Sequence, residues 1–299
     1  MNIPDFLEEK LQKQYGIDLT EKIVEGYKTK RFVTFRVNTL KSNVDEIEKV
    51  LKEKNIEFEH PKWSNIAFVL LEADENIIRD LDIYKEGKIY LQSLSSMLPT
   101  IIMQPKAGMD ILDMTAAPGG KTTQIAALTN NESNITACEM NKIRAKKLKY
   151  NIEKQGAKVY VLETDSRKID SFFSFDRILL DAPCSGSGTL NLNAGNMSKF
   201  SIQLIDKCKK SQFELLKKAI QILKSGKEMI YSTCSILEDE NEEIVKKILK
   251  SENTKIIPIQ FEGVEEVPVL PTKIDGALCV MPNELYEGFF VAKIKKVMK

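Results

Sequence analysis

Apolar residues recur at helical spacing through residues 1 to about 28, at Phe6, Leu7, Leu11, Ile17, Leu19, Ile23 and Val24. Residues 31–38 then alternate, with Phe32, Thr34 and Arg36 on one side and Val33, Phe35 and Val37 on the other, which predicts a strand. A helix is expected over 43–54, opened by Ser42 or Asn43 and burying Val44, Ile47, Val50 and Leu51. Residues 66–71 form an apolar strand. Together these predict a small α/β domain over 1–85. From residue 86 to 299 the rhythm changes. Short apolar strands are expected at 110–114, 134–138, 158–162, 177–180, 228–231 and 288–294, and helices at 120–128, 142–155 and 202–223. Strand–helix alternation implies right-handed crossovers and a parallel, doubly wound α/β sheet. Such sheets bind ligands beyond the carboxyl ends of their strands.

Composition narrows the class. The chain has 299 residues, 42% hydrophobic and 29% charged, with a net charge of +1, which excludes a disordered chain. No apolar run approaches membrane-spanning length, and the first residues lack the pattern of a secretory signal. Five cysteines, none at CxxC spacing, fit neither a disulfide framework nor a metal site, and a reducing, cytoplasmic setting is expected. The near-neutral total hides local charge. Residues 142–158 hold seven Lys and Arg against Glu153, and residues 199–227 hold eight lysines against Asp206 and Glu214. Two basic runs flanking one site favour a polyanion such as nucleic acid over mere solubility. Glu238, Asp239, Glu240, Glu242 and Glu243 make an acidic cluster, for which a solvated helix face is the plain expectation.

The first strand of the large domain ends at Asp113 and runs into Thr115, Ala116, Ala117, Pro118, Gly119, Gly120, Lys121 and Thr122. Small residues before a helix N-terminus let a ligand approach the backbone. Gly120-Lys121-Thr122 is similar to the end of a phosphate-binding Walker loop, but that loop needs glycine where Thr115 stands. Glu139 follows the second strand and Asp165 the third. Each acid alone reads as a helix or turn cap, with Asn141 a further candidate to cap the helix from Lys142. Three acids at successive strand ends point instead to a nucleoside, with Glu139 placed for ribose hydroxyls and Asp165 for an adenine edge. An adenosyl ligand without phosphates suits this loop.

Asp181-Ala182-Pro183-Cys184 follows the fourth strand and Ser232-Thr233-Cys234 the fifth. A buried structural thiol is the ordinary fate of free cysteine, and it suits Cys138, Cys208 and Cys279. Cys184 and Cys234 lie instead in Ser/Gly/Pro-rich loops on the presumed ligand rim. A thiolate adding to carbon 6 of cytosine makes carbon 5 nucleophilic enough to accept a methyl group. Asp181 is placed to stabilise charge near ring nitrogen 3 and the amine, and Lys121 to favour a thiolate. The residues alone leave open which cysteine attacks.

These motifs together resemble the RNA (cytosine-5)-methyltransferase family, the Fmu/Sun/NSUN group, which uses S-adenosylmethionine. The resemblance rests on Arg36-Val37-Asn38-Thr39-Leu40-Lys41, on Gln92, Ser95 and Ser96, on 113–122, 181–186 and 231–235, and on 288–293. It implies a Rossmann-like methyltransferase domain over 86–299 and an RNA-binding domain before it. It implies Cys234 as nucleophile, Cys184 as the release cysteine, Asp181 at the target base and Lys121 in the active site. It implies cofactor contacts from Asp113, Glu139 and Asp165 besides the 116–121 loop, and matches Arg144 to a helix arginine of the family. The expected partner is rRNA or tRNA, and the expected state a monomer. Departures lie at Asn191 and Asn193, where basic residues are common, at 282–285, which lack a histidine, and at Thr115, where cysteine is common. The rival readings are a non-catalytic RNA-binding or ribosome-assembly factor and, more weakly, a nucleotide hydrolase. His60 and Trp63 are expected to serve packing or surface.

Overall fold

A computed structural model describes residues 3–194 and 200–298; Lys199, which opens the second basic run, lies outside them. The chain begins with α1 (Asp5–Tyr15) and α2 (Ile17–Lys28). Then follow β1 (Val33–Val37), α3 (Val44–Glu53), β2 (Phe58–Glu59), β3 (Ala67–Leu70), α4 (Glu75–Asp80), α5 (Asp82–Lys85) and β4 (Ile89–Leu91). Asn43 opens α3 by accepting the Glu46 N–H at 2.9 Å, as its sequence position predicts. The four strands form an antiparallel sheet in the order β2-β3-β1-β4. Phe35, Val37, Ile47, Leu51 and Phe68 fill the space beneath it. The last strand of this sheet thus comes from just past residue 85. Leu7, Leu11, Ile23 and Tyr27 of α1 and α2 pack into the core of the large domain instead.

The large domain continues with α6 (Leu94–Met103), β5 (Asp110–Asp113), α7 (Gly120–Leu128), β6 (Asn134–Cys138), α8 (Lys142–Gln155) and β7 (Val159–Leu162). It closes with β8 (Phe175–Asp181), α9 (Ile202–Ile222), β9 (Leu223–Thr233), α10 (Glu242–Ser251), β10 (Thr254–Ile257), β11 (Val269–Leu270), β12 (Leu278–Val280) and β13 (Phe289–Lys296). The main sheet runs β11-β12-β13-β9-β8-β5-β6-β7, with β10 added beside β13. Strands β5 to β9 are parallel, and the reversal of order between β6 and β8 about β5 makes the sheet doubly wound. The expected all-parallel sheet needs one correction: β13 enters antiparallel to β9, and β10 and β12 antiparallel to β13. Alternate residues serve opposite faces. Ile178, Leu180, Met229 and Tyr231 pack with α1, α2, α9 and α10, whereas Leu179 and Ile230 pack with α6 and α7. No helix among the described residues is long and apolar enough to cross a membrane.

Candidate active site

The carboxyl ends of β5, β6, β7, β8 and β9 meet on one rim. Two clefts open there, of about 300 and 440 Å³. Both touch Thr115, Ala117, Asp181 and Cys234, which therefore form the ridge between them. Glu139, Arg144, Asp165 and Cys184 lie on the wall of the smaller cleft. Gln92, Ser96, Lys121 and Phe289 lie on the wall of the larger.

Cys184 and Cys234, fifty residues apart, come within 3.1 Å at their sulfurs. Backbone bonds between loops distant in sequence fix the approach: Gly188 N–H donates to the Cys234 carbonyl at 2.9 Å, and Gly288 N–H to the Gly188 carbonyl at 2.8 Å. A Cβ on Gly188 would fall 2.0 Å from the Gly288 carbonyl oxygen, so this crossing requires glycine. The hydrogen bond with Cys234, and burial after it, push the Cys184 thiol well up. Cys138, Cys208 and Cys279 are buried and inert, pushed up by desolvation, to about 12 for Cys138 and about 11 for Cys208.

Asp181, the last residue of β8, accepts from Lys121 Nζ at 2.7 Å on Oδ2 and from Ser232 Oγ at 2.8 Å on Oδ1. Lys121 also donates to Ser96 Oγ at 2.8 Å and sits 5.2 Å from the centre of the Phe289 ring. Its ammonium thus serves the carboxylate, where the sequence reading had it assisting a thiolate.

The loop that opens α7 is tied down at both ends by Asp113. This carboxylate is 1% exposed, accepts from Thr122 Oγ1 at 2.7 Å and from Thr115 N–H at 3.3 Å, and is raised by burial to about 6. Ala116, Pro118 and Gly120 line the larger cleft, and Ala117 the ridge. Gly119 lines neither cleft; its φ of 109° and the Leu148 methyl 3.0 Å from its would-be Cβ explain the glycine. Glu139 is nearly buried, holds the Asn141 N–H at 2.8 Å and faces Arg144 Nη1 at 3.4 Å. Arg144 also donates to the Ala117 carbonyl at 2.8 Å, joining the second strand end to the loop. The cap of α8 is Asn141, which accepts from Ile143 and Arg144 N–H. Asp165 does cap its short turn, and Arg167 grips it at 2.6 Å, holding its carboxyl below the usual range.

Two groups escaped the sequence reading. Glu240 and Glu242 are fully or nearly buried, contrary to the solvated face expected of the acidic cluster. Glu240 accepts both the N–H and hydroxyl of Ser185, at 2.7 and 2.5 Å, and so anchors the Cys184 loop from beneath. No local signal separates it from its acidic neighbours. Arg36 is also fully buried, donating to Gln92 Oε1, the Gly120 carbonyl and Thr123 Oγ1. Its alternating strand position and its place at the head of the 36–41 motif were the hints, and neither foretold its burial. Trp63 packs and donates to Tyr286 OH at 2.8 Å, and His60 stacks edge-on with Phe68, as expected of both.

Residues 100–295 match the family model described as 16S rRNA methyltransferase RsmB/F, and residues 3–75 match the ferredoxin-like domain of RsmF/B-like methyltransferases. The chain belongs to the RsmB/F methyltransferase family. It is 34% identical to the 25S rRNA (cytosine-C(5))-methyltransferase nop2 of Schizosaccharomyces pombe over 98% of this chain and 50% of that one. It is 35% identical to ribosomal RNA small subunit methyltransferase F of Vibrio vulnificus, over 88% and 57%. The chain thus spans little more than half the length of these curated relatives. A solved methyltransferase homolog from Pyrococcus horikoshii superposes with a TM-score of 0.85 at 31% identity, covering 98% of this chain and 95% of that one. The RsmB/F match agrees with the sequence resemblance in family, fold and the small domain ahead of the catalytic one.

Proposed function

We propose that this RsmB/F-family protein methylates carbon 5 of a cytosine in RNA, rRNA by its relatives' names, through a covalent adduct with Cys234. The observation that carries this reading is the cysteine pair at 3.1 Å beside Asp181, on a ridge that both clefts reach. The smaller cleft suits S-adenosylmethionine: it has acids at two successive strand ends, and its floor reaches the ridge. Glu139 would take the ribose, Asp165 the adenine edge, and the 115–117 backbone the amino-acid end. When bound, that cofactor supplies an electrophilic methyl group. The target base lies in the larger cleft, unpaired or flipped so that its face is open.

Cys234 Sγ adds to carbon 6 as its thiol proton passes, by way of Asp181, to ring nitrogen 3; Asp181, oriented by Lys121 and Ser232, then accepts from the amine and from the newly protonated nitrogen. Carbon 5 then takes the methyl group. Bonding of Cys234 to carbon ends its sulfur contact with Cys184. Cys184, its own proton given up to solvent, accepts the carbon 5 proton as the carbon 5–carbon 6 double bond re-forms, the sulfur–carbon bond breaks and Cys234 leaves as a thiolate, which takes back the proton from ring nitrogen 3 by way of Asp181.

The test uses labelled S-adenosylmethionine with unmodified total RNA, resolved by size, and a denaturing gel of Cys184→Ala after incubation with RNA. Label in one RNA class, with a protein–RNA adduct in the variant, is the expected result. RNA-free Cys184→Ala overturns the assigned roles. Salt-sensitive RNA binding without transfer would favour a binding factor that keeps the fold.

A further inference from the structure

The larger cleft does not end at the ridge. Tyr90, Leu91 and Pro118 line it, and the same three residues line a neighbouring groove of about 220 Å³ between the small domain and α8. The groove takes Arg79 and Tyr84 from the small domain and Lys147, Asn151 and Lys154 from α8. Asn151 holds its floor, donating to the Pro118 carbonyl at 2.8 Å and reaching Tyr90 OH at 3.5 Å.

Its charge is one-sided. Lys154 Nζ stands 3.7 Å from the centre of the Tyr84 ring. Lys41 Nζ lies close by, donating to the carbonyls of Lys154 at 2.8 Å and Glu86 at 3.0 Å. Among the described residues no carboxylate pairs with Lys41, Lys147 or Lys154; Arg79 alone has one, Glu75. Burial, then Arg79 and Lys41, push Lys154 down from its ordinary value. Behind the groove the buried Arg36 guanidinium sits 5.1 Å from the Tyr90 ring centre. Its hydrogen bonds go to uncharged oxygens, and its Nη1 has no partner. Lysines that served only to join the domains would sit opposite acids. Here like charges gather around tyrosine rings with Arg79 alone holding a counter-charge among the described residues, the arrangement that tracks a polyanionic strand.

We propose that this groove binds the phosphodiester backbone of single-stranded RNA as it leaves the catalytic cleft, with Lys147 and Lys154 each neutralising a phosphate. The inference rests on the RNA-methyltransferase reading and deepens it, because the shared wall at Tyr90 and Pro118 leads the strand from target base to groove.

The test is anisotropy of an end-labelled, unstructured 15-nucleotide RNA of mixed sequence, titrated with full-length protein over a series of salt concentrations. Wild type is compared with Lys147→Gln/Lys154→Gln and with Lys154→Arg. The double variant should bind about tenfold more weakly near 0.1 M salt, and its log–log salt slope should fall by about 1.4, some 0.7 per lost phosphate contact. Lys154→Arg should bind as wild type. Both variants should keep wild-type melting temperature and cofactor affinity. An unchanged slope overturns the proposal even if affinity falls, and so does wild-type protein that shows no salt-dependent binding. The reading beneath it fails separately: methyl transfer with an unchanged slope sinks only the groove, and a changed slope without transfer sinks only the chemistry.

Discussion

The Glu139 cleft and the Lys121 cleft share Thr115, Ala117, Asp181 and Cys234 but differ in charge and in how that charge is held. On the first side the acids are braced: Arg144 faces Glu139 and Arg167 clamps Asp165. On the second side one cation, Lys121, is braced by Asp181, and beyond Tyr90 Lys147 and Lys154 have no acid partner among the described residues. A rigid acidic wall suits a small cationic nucleoside that must be placed to a fraction of an ångström. A loosely held cationic path suits a long anion whose sequence is read elsewhere. The ridge is the one place, among the described residues, that both clefts reach, and Cys234, the proposed nucleophile, stands on it.

The strongest way to break the comparison is to remove the ridge's own chemistry. Cys234→Ala should lower methyl transfer by at least about a thousandfold, as loss of a covalent nucleophile does. Cofactor affinity and RNA affinity, measured separately, should stay near wild type. Loss of either binding along with transfer would mean that Cys234 holds a wall in shape.

Asp113 tests the foundation that the two clefts share. Its folded value of about 6 lies above the ordinary 3.8. Its contribution to stability is therefore fully present below about pH 4 and lost as pH rises through 6, up to about 3 kcal/mol for a buried group. Asp113→Asn removes that loss. Thermal melting from pH 4 to 7 should show the variant gaining on wild type as pH rises. Parallel melting curves would show that Asp113 does not titrate in this range.

Much of this was legible in the chain. β6, α7 and α8 lie where apolar spacing, Gly119-Gly120 and Asn141 place them, because long amphipathic or fully buried segments carry their period and caps locally. The direction of β13 was not legible, since an apolar run reads the same in a parallel or antiparallel neighbour. Nor were β11 and β12, of two and three residues, which the sheet makes and not their own propensity. At the site, strand ends disclosed Asp113, Glu139, Asp165, Asp181 and both cysteines. Burial of charge was invisible. Glu240 looks like the acids around it, and Arg36, though it heads the 36–41 motif, carries no local mark of burial, because what buries each is a distant partner: Ser185 for one, Gln92 and Gly120 for the other.

Glu139→Gln sharpens the comparison with the smallest change, one oxygen for one amide. Glu139 already gives one oxygen to the Asn141 N–H at 2.8 Å, and the variant keeps an acceptor for that bond. What goes is the charge, and with it an acceptor for ribose hydroxyls and the attraction to Arg144. A hydrogen bond to a charged group contributes about 1.5–3 kcal/mol, so S-adenosylmethionine should bind at least about tenfold more weakly by calorimetry. RNA affinity and its salt slope should not move, because Glu139 lies across the ridge from the basic path. If RNA binding tightened with the loss of this acid, the strand would run over both clefts, and the division between them would be a division of residues but not of ligands.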